Sequence, residues 1–174
     1  MSKKPFTATG DKGETSVATG RVAKDSLVVQ ALGDIDELDC FLGFARTKVQ
    51  TQEVKELLKQ IQLKLFTYAA VIHNMREYKI TQVDVEWLEQ KAIEFDKELP
   101  ELRHFILPAG SEGSIALHIA RAVCRRAERS VVALDRQRKL PEHSIPFINR
   151  LSSLLFVLAR YINVKEGINE ELVA

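Results

Sequence analysis

Cysteine, proline and net charge are all scarce in this chain, and each shortage excludes something. Two cysteines, Cys40 and Cys124, cannot build a disulfide scaffold and lack the paired spacing of a zinc site, which points to a reducing, cytoplasmic setting. No proline lies between Pro5 and Pro100, so long stretches are free to be helical. Eight glycines and five prolines beside 45% hydrophobic residues exclude a disordered or collagen-like chain. The charges nearly cancel, 25 basic against 24 acidic, so no whole-molecule field argues for a nucleic acid or an anionic membrane as partner. Long apolar runs are missing too. The longest, Leu154 to Ala159, falls far short of the roughly 18 residues a spanning helix needs, and no apolar stretch follows the basic start, so neither a membrane span nor a secretory signal is expected. What remains is 174 residues, one domain's worth of chain with enough apolar side chains for a core.

Those side chains recur with helical spacing. Ile35, Leu38, Leu42, Ala45 and Val49 predict a first helix over about 34–49, and Val54, Leu57, Leu58, Ile61, Leu65, Ala69 and Ile72 a second over about 52–78. Thr81 and Asp84 resemble a capping box opening a third helix, which Pro100 stops. After Pro108 and Gly110, Ser111 or Ser114 can cap a fourth, running to about Lys139. A fifth runs from about Pro146 to Glu166, with Gly167 as its stop. Strand-like alternation shows only weakly, at Leu27 to Leu32. The pattern predicts an all-α, ferritin-like up-down bundle of five helices over 34–167, preceded by a glycine-rich loop over 1–33.

Chemistry has few places to sit. The segment Thr7 to Ser16 brings glycines, hydroxyls and Lys12 together, the ingredients of a phosphate site, yet lacks the Walker A spacing, and on composition alone an ordinary terminal arm is the favoured reading. Between His118 and Lys139 the neutral total conceals a local charge of +5: Arg121, Arg125, Arg126, Arg129, Arg136, Arg138 and Lys139 against Glu128 and Asp135. Helical offsets place Arg121, Arg125, Glu128 and Arg129 on one face with Arg126 to the side. Such a face either grips a polyanion, for which guanidinium forks are suited, or is a solvated surface of internal ion pairs. Asp36 and Glu37 either serve the helix dipole or, for Asp36, orient an arginine of the fourth helix. Phe105 and Asn149 are undiagnostic alone. The only E-x-x-H, Glu101 to His104, does not make a di-iron centre, and neither H-E-x-x-H nor G-x-S-x-G occurs. His73 and His118 read as packed or bridging residues.

Six segments in order, Thr9-Gly10-Asp11-Lys12-Gly13-Glu14-Thr15-Ser16, Arg21-Val22-Ala23-Lys24-Asp25, Asp36-Glu37-Leu38, Phe105-Ile106-Leu107-Pro108, Val123-Cys124-Arg125-Arg126-Ala127-Glu128-Arg129 and Ile148-Asn149-Arg150-Leu151-Ser152, resemble the ATP:cob(I)alamin adenosyltransferases of the propanediol-utilisation and human mitochondrial kind. The resemblance implies transfer of the 5′-deoxyadenosyl group of ATP to cob(I)alamin, with triphosphate released. It implies an ATP site folded from Thr7, Ala8, Thr9, Gly10, Thr15, Ser16 and Lys24 and completed by Arg125, Arg126, Glu128, Arg129 and Asn149, with magnesium bridging phosphates near Glu128. On the corrinoid side it implies that Phe105 keeps the lower axial ligand from cobalt, and that Asp36 pairs with Arg121 across a subunit boundary. Homotrimers with inter-subunit sites, a flavin-dependent reductase and an adenosylcobalamin-dependent consumer are further expectations. Departures from the usual pattern are Ala8 for lysine, Asp39 for asparagine, Ala109 for glycine and Ser153 for aspartate. A non-catalytic ATP- or corrinoid-binding regulator on the same bundle is the alternative reading.

Overall fold

A computed structural model describes residues 5–173; the basic start at residues 1–4 and Ala174 lie outside it. Five helices follow a short antiparallel hairpin. Strands β1 (Glu14–Val17) and β2 (Gly20–Ala23) pair with Glu14 opposite Ala23 and Val17 opposite Gly20. The sequence reading missed this hairpin, because four-residue strands with one half-buried side in each carry too little alternation to stand out.

Helix α1 (Leu27–Lys48) starts a full two turns before the expected boundary at 34. The weak alternation at 27–32 is its first two turns: Val28, Ala31, Leu32 and Ile35 are spaced i, i+3, i+4, i+7 toward the core. The helix also absorbs Gly33 without a break. Helix α2 (Gln52–Ile72) ends six residues before the predicted Tyr78. Asn74 takes a left-handed conformation at φ 69°, Met75 N–H bonds Ala70 O at 3.0 Å, and Arg138 donates to Ile72 O at 2.6 Å, so the final carbonyls are satisfied by a turn and a distant guanidinium. Helix α3 (Gln82–Asp96) opens as predicted, with Asp84 accepting from the Thr81 backbone N–H at 2.9 Å and its hydroxyl at 2.7 Å. Ser111 caps α4 (Glu112–Gln137) by accepting from Ser114 N–H at 3.2 Å. Helix α5 (Ser144–Lys165) carries Pro146 in its first turn, where no N–H is needed, and ends before Gly167 at φ 69°.

Lys48 meets Glu112 while Asp34 meets Ser130, which makes α1 and α4 antiparallel. Cys124 meets the backbone at Ile148 and Gly113 abuts Ile162, so α5 runs antiparallel to α4. Helix α3 lies along α5 in the same direction, pairing Glu89 with Arg150 and Phe95 with Tyr161. One continuous core joins them, with Leu38, Leu58, Leu117, Ile148, Leu151 and Leu155 all inaccessible to solvent. Each such side chain contributes about 1.5–3 kcal/mol relative to exposure. Helix α5 is long and apolar enough to cross a membrane, but 61% of its most apolar window is buried inside the bundle, the mark of a core helix.

His118 lies in this core beside Phe156, its Nδ1 without a partner. Burial first, then the Arg121 guanidinium, pushes its pKa down to about 4, with Glu170 opposing. The folded state therefore favours neutral imidazole, while the unfolded chain protonates from about pH 6.5 downward. This contribution to stability is complete above that value and is lost as pH falls toward 4. Melting temperatures measured from pH 7.5 to 4.5 are expected to fall, and the fall to flatten in His118→Asn.

Candidate active site

Arg121 and Arg125 sit one turn apart on α4 and face a groove of about 530 Å³ between α4, α5 and the 102–106 segment. Its opposite wall is apolar: Phe105, Ile106, Phe156 and Val157, with Ser152 and Ser153 at the base. The Arg121 guanidinium carbon lies 5.7 Å from the centre of the Phe156 ring, a cation–π placement. Arg121 Nε is buried and unpartnered, and no carboxylate among the described residues lies within ion-pair distance of Arg121 or Arg125. Burial, and then the neighbouring Arg125 charge, lower the Arg121 pKa. Two adjacent guanidiniums without a carboxylate partner, beside apolar surface, suit an anion.

The groove continues past Arg125 into a basic hollow of about 430 Å³ lined by Glu128, Arg129 and Arg136. Glu128 accepts from Asn149 Nδ2 at 2.9 Å, and Asn149 Oδ1 accepts from Arg150 at 2.8 Å. Glu128 and Asn149, 21 residues apart, are thus joined by the α4–α5 packing. Arg129 folds back along its own helix, donating to Arg125 O at 3.1 Å.

Arg126 points elsewhere. It is bound to Glu37 and lies 3.4 Å from Asp34 Oδ1, on the α1 side of the bundle. Asp34 is buried and also accepts from Gln30 at 3.1 Å and from the Ser130 hydroxyl. The carboxylates that meet an α4 arginine within the chain are therefore Asp34 and Glu37, while Asp36 faces the other way. Their i, i+3 spacing was the available signal, since a residue two positions along a helix projects to a different face. Asp36 instead lines a cavity of about 440 Å³ with Thr15, Ser16, Gly33 and Phe66. Asp39 lines it too, and burial is the first cause of a carboxyl pKa raised above its ordinary value.

The N-terminal residues are drawn together by backbone geometry. Thr7 and Thr9 hydroxyls are 3.0 Å apart, Ala8 adopts φ 57°, and Gly13 N–H closes a turn on Gly10 O at 3.2 Å. Lys24 N–H bonds Gly13 O at 2.8 Å, and its ammonium lies so close to Gly10 that an added Cβ would stand 3.1 Å from Nζ. Arg21, to which the sequence reading gave no role, ties the loop by donating to Thr9 O at 2.8 Å and to Glu14 at 3.2 Å. Within one chain the cavity holding Thr15, Ser16 and Asp36 shares no residue with the groove holding Arg121 and Arg125.

Among the described residues no group of three or more His, Cys, Asp or Glu side chains is placed to hold a metal. A lone carboxylate at Glu128 fits magnesium arriving with a nucleotide, which is held by one or two carboxylates plus the phosphates.

Fold and site together define a helical-bundle protein with an arginine-lined groove bordered by aromatic side chains. The chain matches the cobalamin adenosyltransferase family over residues 5–162, and it belongs to that family. It is 41% identical to a corrinoid adenosyltransferase of Bacillus subtilis, the match covering 96% of this chain and 90% of that protein. It is 40% identical to the Homo sapiens corrinoid adenosyltransferase MMAB, covering 97% of this chain and 72% of that protein. Among solved structures, a phenylalanine-to-alanine variant of the PduO-type ATP:corrinoid adenosyltransferase from Lactobacillus reuteri, complexed with cobalamin and ATP, superposes with a TM-score of 0.92 at 34% identity, covering 98% of this chain and 99% of that one.

Proposed function

We propose that this protein transfers the 5′-deoxyadenosyl group of ATP to cob(I)alamin. The cobalt(I) electron pair attacks C5′, a cobalt–carbon bond forms, and the C5′–O bond breaks with its pair leaving on triphosphate. The products are adenosylcobalamin and triphosphate. No protein nucleophile or base is required, since the substrate supplies the attacking pair. The observation that carries this reading is Arg125, free of any carboxylate among the described residues and standing where the groove of Phe105 and Phe156 meets the basic hollow. A guanidinium already in place on a rigid helix stabilises charge developing on the leaving group with little reorganisation at the moment of reaction.

Thr7, Ala8, Thr9, Gly10, Thr15, Ser16 and Lys24 fold over ATP, and Arg125, Glu128, Arg129 and Asn149 complete its site, with magnesium near Glu128. Arg126, engaged by Asp34 and Glu37, contributes by bracing α4 against α1. The two half-sites belong to neighbouring subunits of a homotrimer, in which Asp36 of one chain meets Arg121 of the next. Support comes from their separation within one chain and from Phe44, Leu63 and Phe66, large apolar side chains left exposed on α1 and α2. A flavin-dependent reductase supplies the electron that takes cob(II)alamin to cob(I)alamin, and an adenosylcobalamin-dependent enzyme consumes the product in the cytoplasm.

The test is anaerobic incubation with chemically reduced cobalamin and Mg-ATP, following light-sensitive adenosylcobalamin and free triphosphate. Both are expected in equal amounts. ATP binding with neither product, under conditions where a relative works, favours a nucleotide-binding regulator instead.

A further inference from the structure

Phe105 is 86% exposed and sits in the irregular link between α3 and α4, so nothing its own side chain touches explains a fixed position. Its backbone is nonetheless held. Val173 N–H donates to Phe105 O at 2.8 Å and Leu107 N–H to Glu171 O at 2.8 Å, making an antiparallel bridge between Ile106 and Leu172. The segment after α5 thus lies as a short strand along the residues that carry the phenylalanine.

That segment is itself anchored. Arg160 of α5 is 3% exposed and donates from Nε and one terminal nitrogen to the two carboxylate oxygens of Glu170, at 2.5 and 3.3 Å. The same guanidinium donates to Pro100 O at 2.8 Å, at the start of the link. One turn on, Asn163 accepts from Ser111 N–H at 3.1 Å and donates to Ala109 O at 2.9 Å, holding the far end. Gly110 is obligatory there, because a Cβ would lie 2.1 Å from Asn163 Oδ1. The link is therefore fixed at its entry, middle and exit, and the backbone hydrogen bonds of the middle go to residues 171–173. Without Glu170 this buried arginine would keep only Asp96, exposed and 3.9 Å away, so Arg160 and Glu170 hold each other strongly.

We propose that the Arg160–Glu170 latch and the 171–173 strand are positioning elements for Phe105, setting how far its ring reaches over the groove and hence whether cobalt loses its lower ligand. This rests on the role given to Phe105 above and extends it to residues that touch neither substrate. An aromatic wedge acts only if its backbone cannot retreat when pressed by the ligand, and strand pairing supplies that resistance.

Two variants test it. Glu170→Ala opens the latch, and Val173→Pro removes the N–H that bonds Phe105 O while leaving the latch closed. Each is bound to cob(II)alamin and ATP, and the four-coordinate cobalt(II) signal is read by electron paramagnetic resonance beside the adenosylation rate from pre-reduced cob(I)alamin. Loss of charge-assisted or backbone hydrogen bonds predicts a signal lower by about tenfold, with the pre-reduced rate within about twofold of wild type. If Glu170→Ala fails to fold, Val173→Pro decides alone, since it leaves the Arg160–Glu170 pair untouched. Wild-type signal in a folded Val173→Pro overturns the proposal, and so do equal losses in both readouts. A wild-type protein that makes no adenosylcobalamin overturns the parent reading instead, and the proposal with it.

Discussion

Arg125→Ala is expected to lower adenosylation of pre-reduced cob(I)alamin by about 10²–10³-fold, the scale on which removal of one pre-placed donor to a developing anion acts. The expectation follows from where the guanidinium stands. Arg125 is shared by the apolar groove and the basic hollow, so it lies where the corrinoid and triphosphate portions of the reaction meet. No carboxylate among the described residues engages it, so the substitution breaks no ion pair of the empty protein. Its side chain is outside the buried core, and the melting temperature should stay within a few degrees of wild type. Arg125→Lys is expected to recover only part of the activity, because an ammonium keeps the charge and loses the fork. Rates from anaerobic single-turnover mixing, with circular dichroism as the fold control, check all of this. An Arg125→Ala protein with wild-type turnover would sink the leaving-group role.

The second large effect is conditional on the oxidation state supplied. Phe105→Ala is expected to cut the reaction starting from cob(II)alamin and a reductase by about 10²-fold while sparing the reaction from chemically reduced cob(I)alamin. The physical reason is that the ring's work is finished before the chemical step. An aromatic ring 86% exposed at the groove edge buries its surface only when a ligand arrives, so its binding energy is free to displace the lower axial ligand. Each 1.36 kcal/mol of that displacement lost is worth about tenfold in rate, and an aromatic contact of this size supplies a few kcal/mol. Equal losses in the two assays would show that Phe105 serves binding generally and not the reduction step.

Much of this was legible in the residues alone. Periodicity and punctuation located five helices, the Thr81–Asp84 cap and the Gly167 stop. The local charge of α4 marked the basic face, and the ordered motifs named the family. Boundaries failed where side chains gave mixed signals. Val28 and Val29 disguised two helical turns as a strand, and the end of α2 was set by Arg138, 66 residues distant.

The sequence by itself determined which segments become helices and which residue types are available for chemistry, since apolar spacing, caps and glycine freedom act within a few residues. Only the tertiary structure decided what each arginine does. Arg125 and Arg126 are neighbours of one chemical kind, yet the 100° step between them on α4 leaves the first open to the groove and gives the second to Asp34 and Glu37. It also decided what holds Phe105, because residues 171–173 lie 66 or more positions along the chain from it and meet it only in the packed bundle. Which helical faces meet is settled by the burial of the whole core, a quantity that no local stretch of sequence contains.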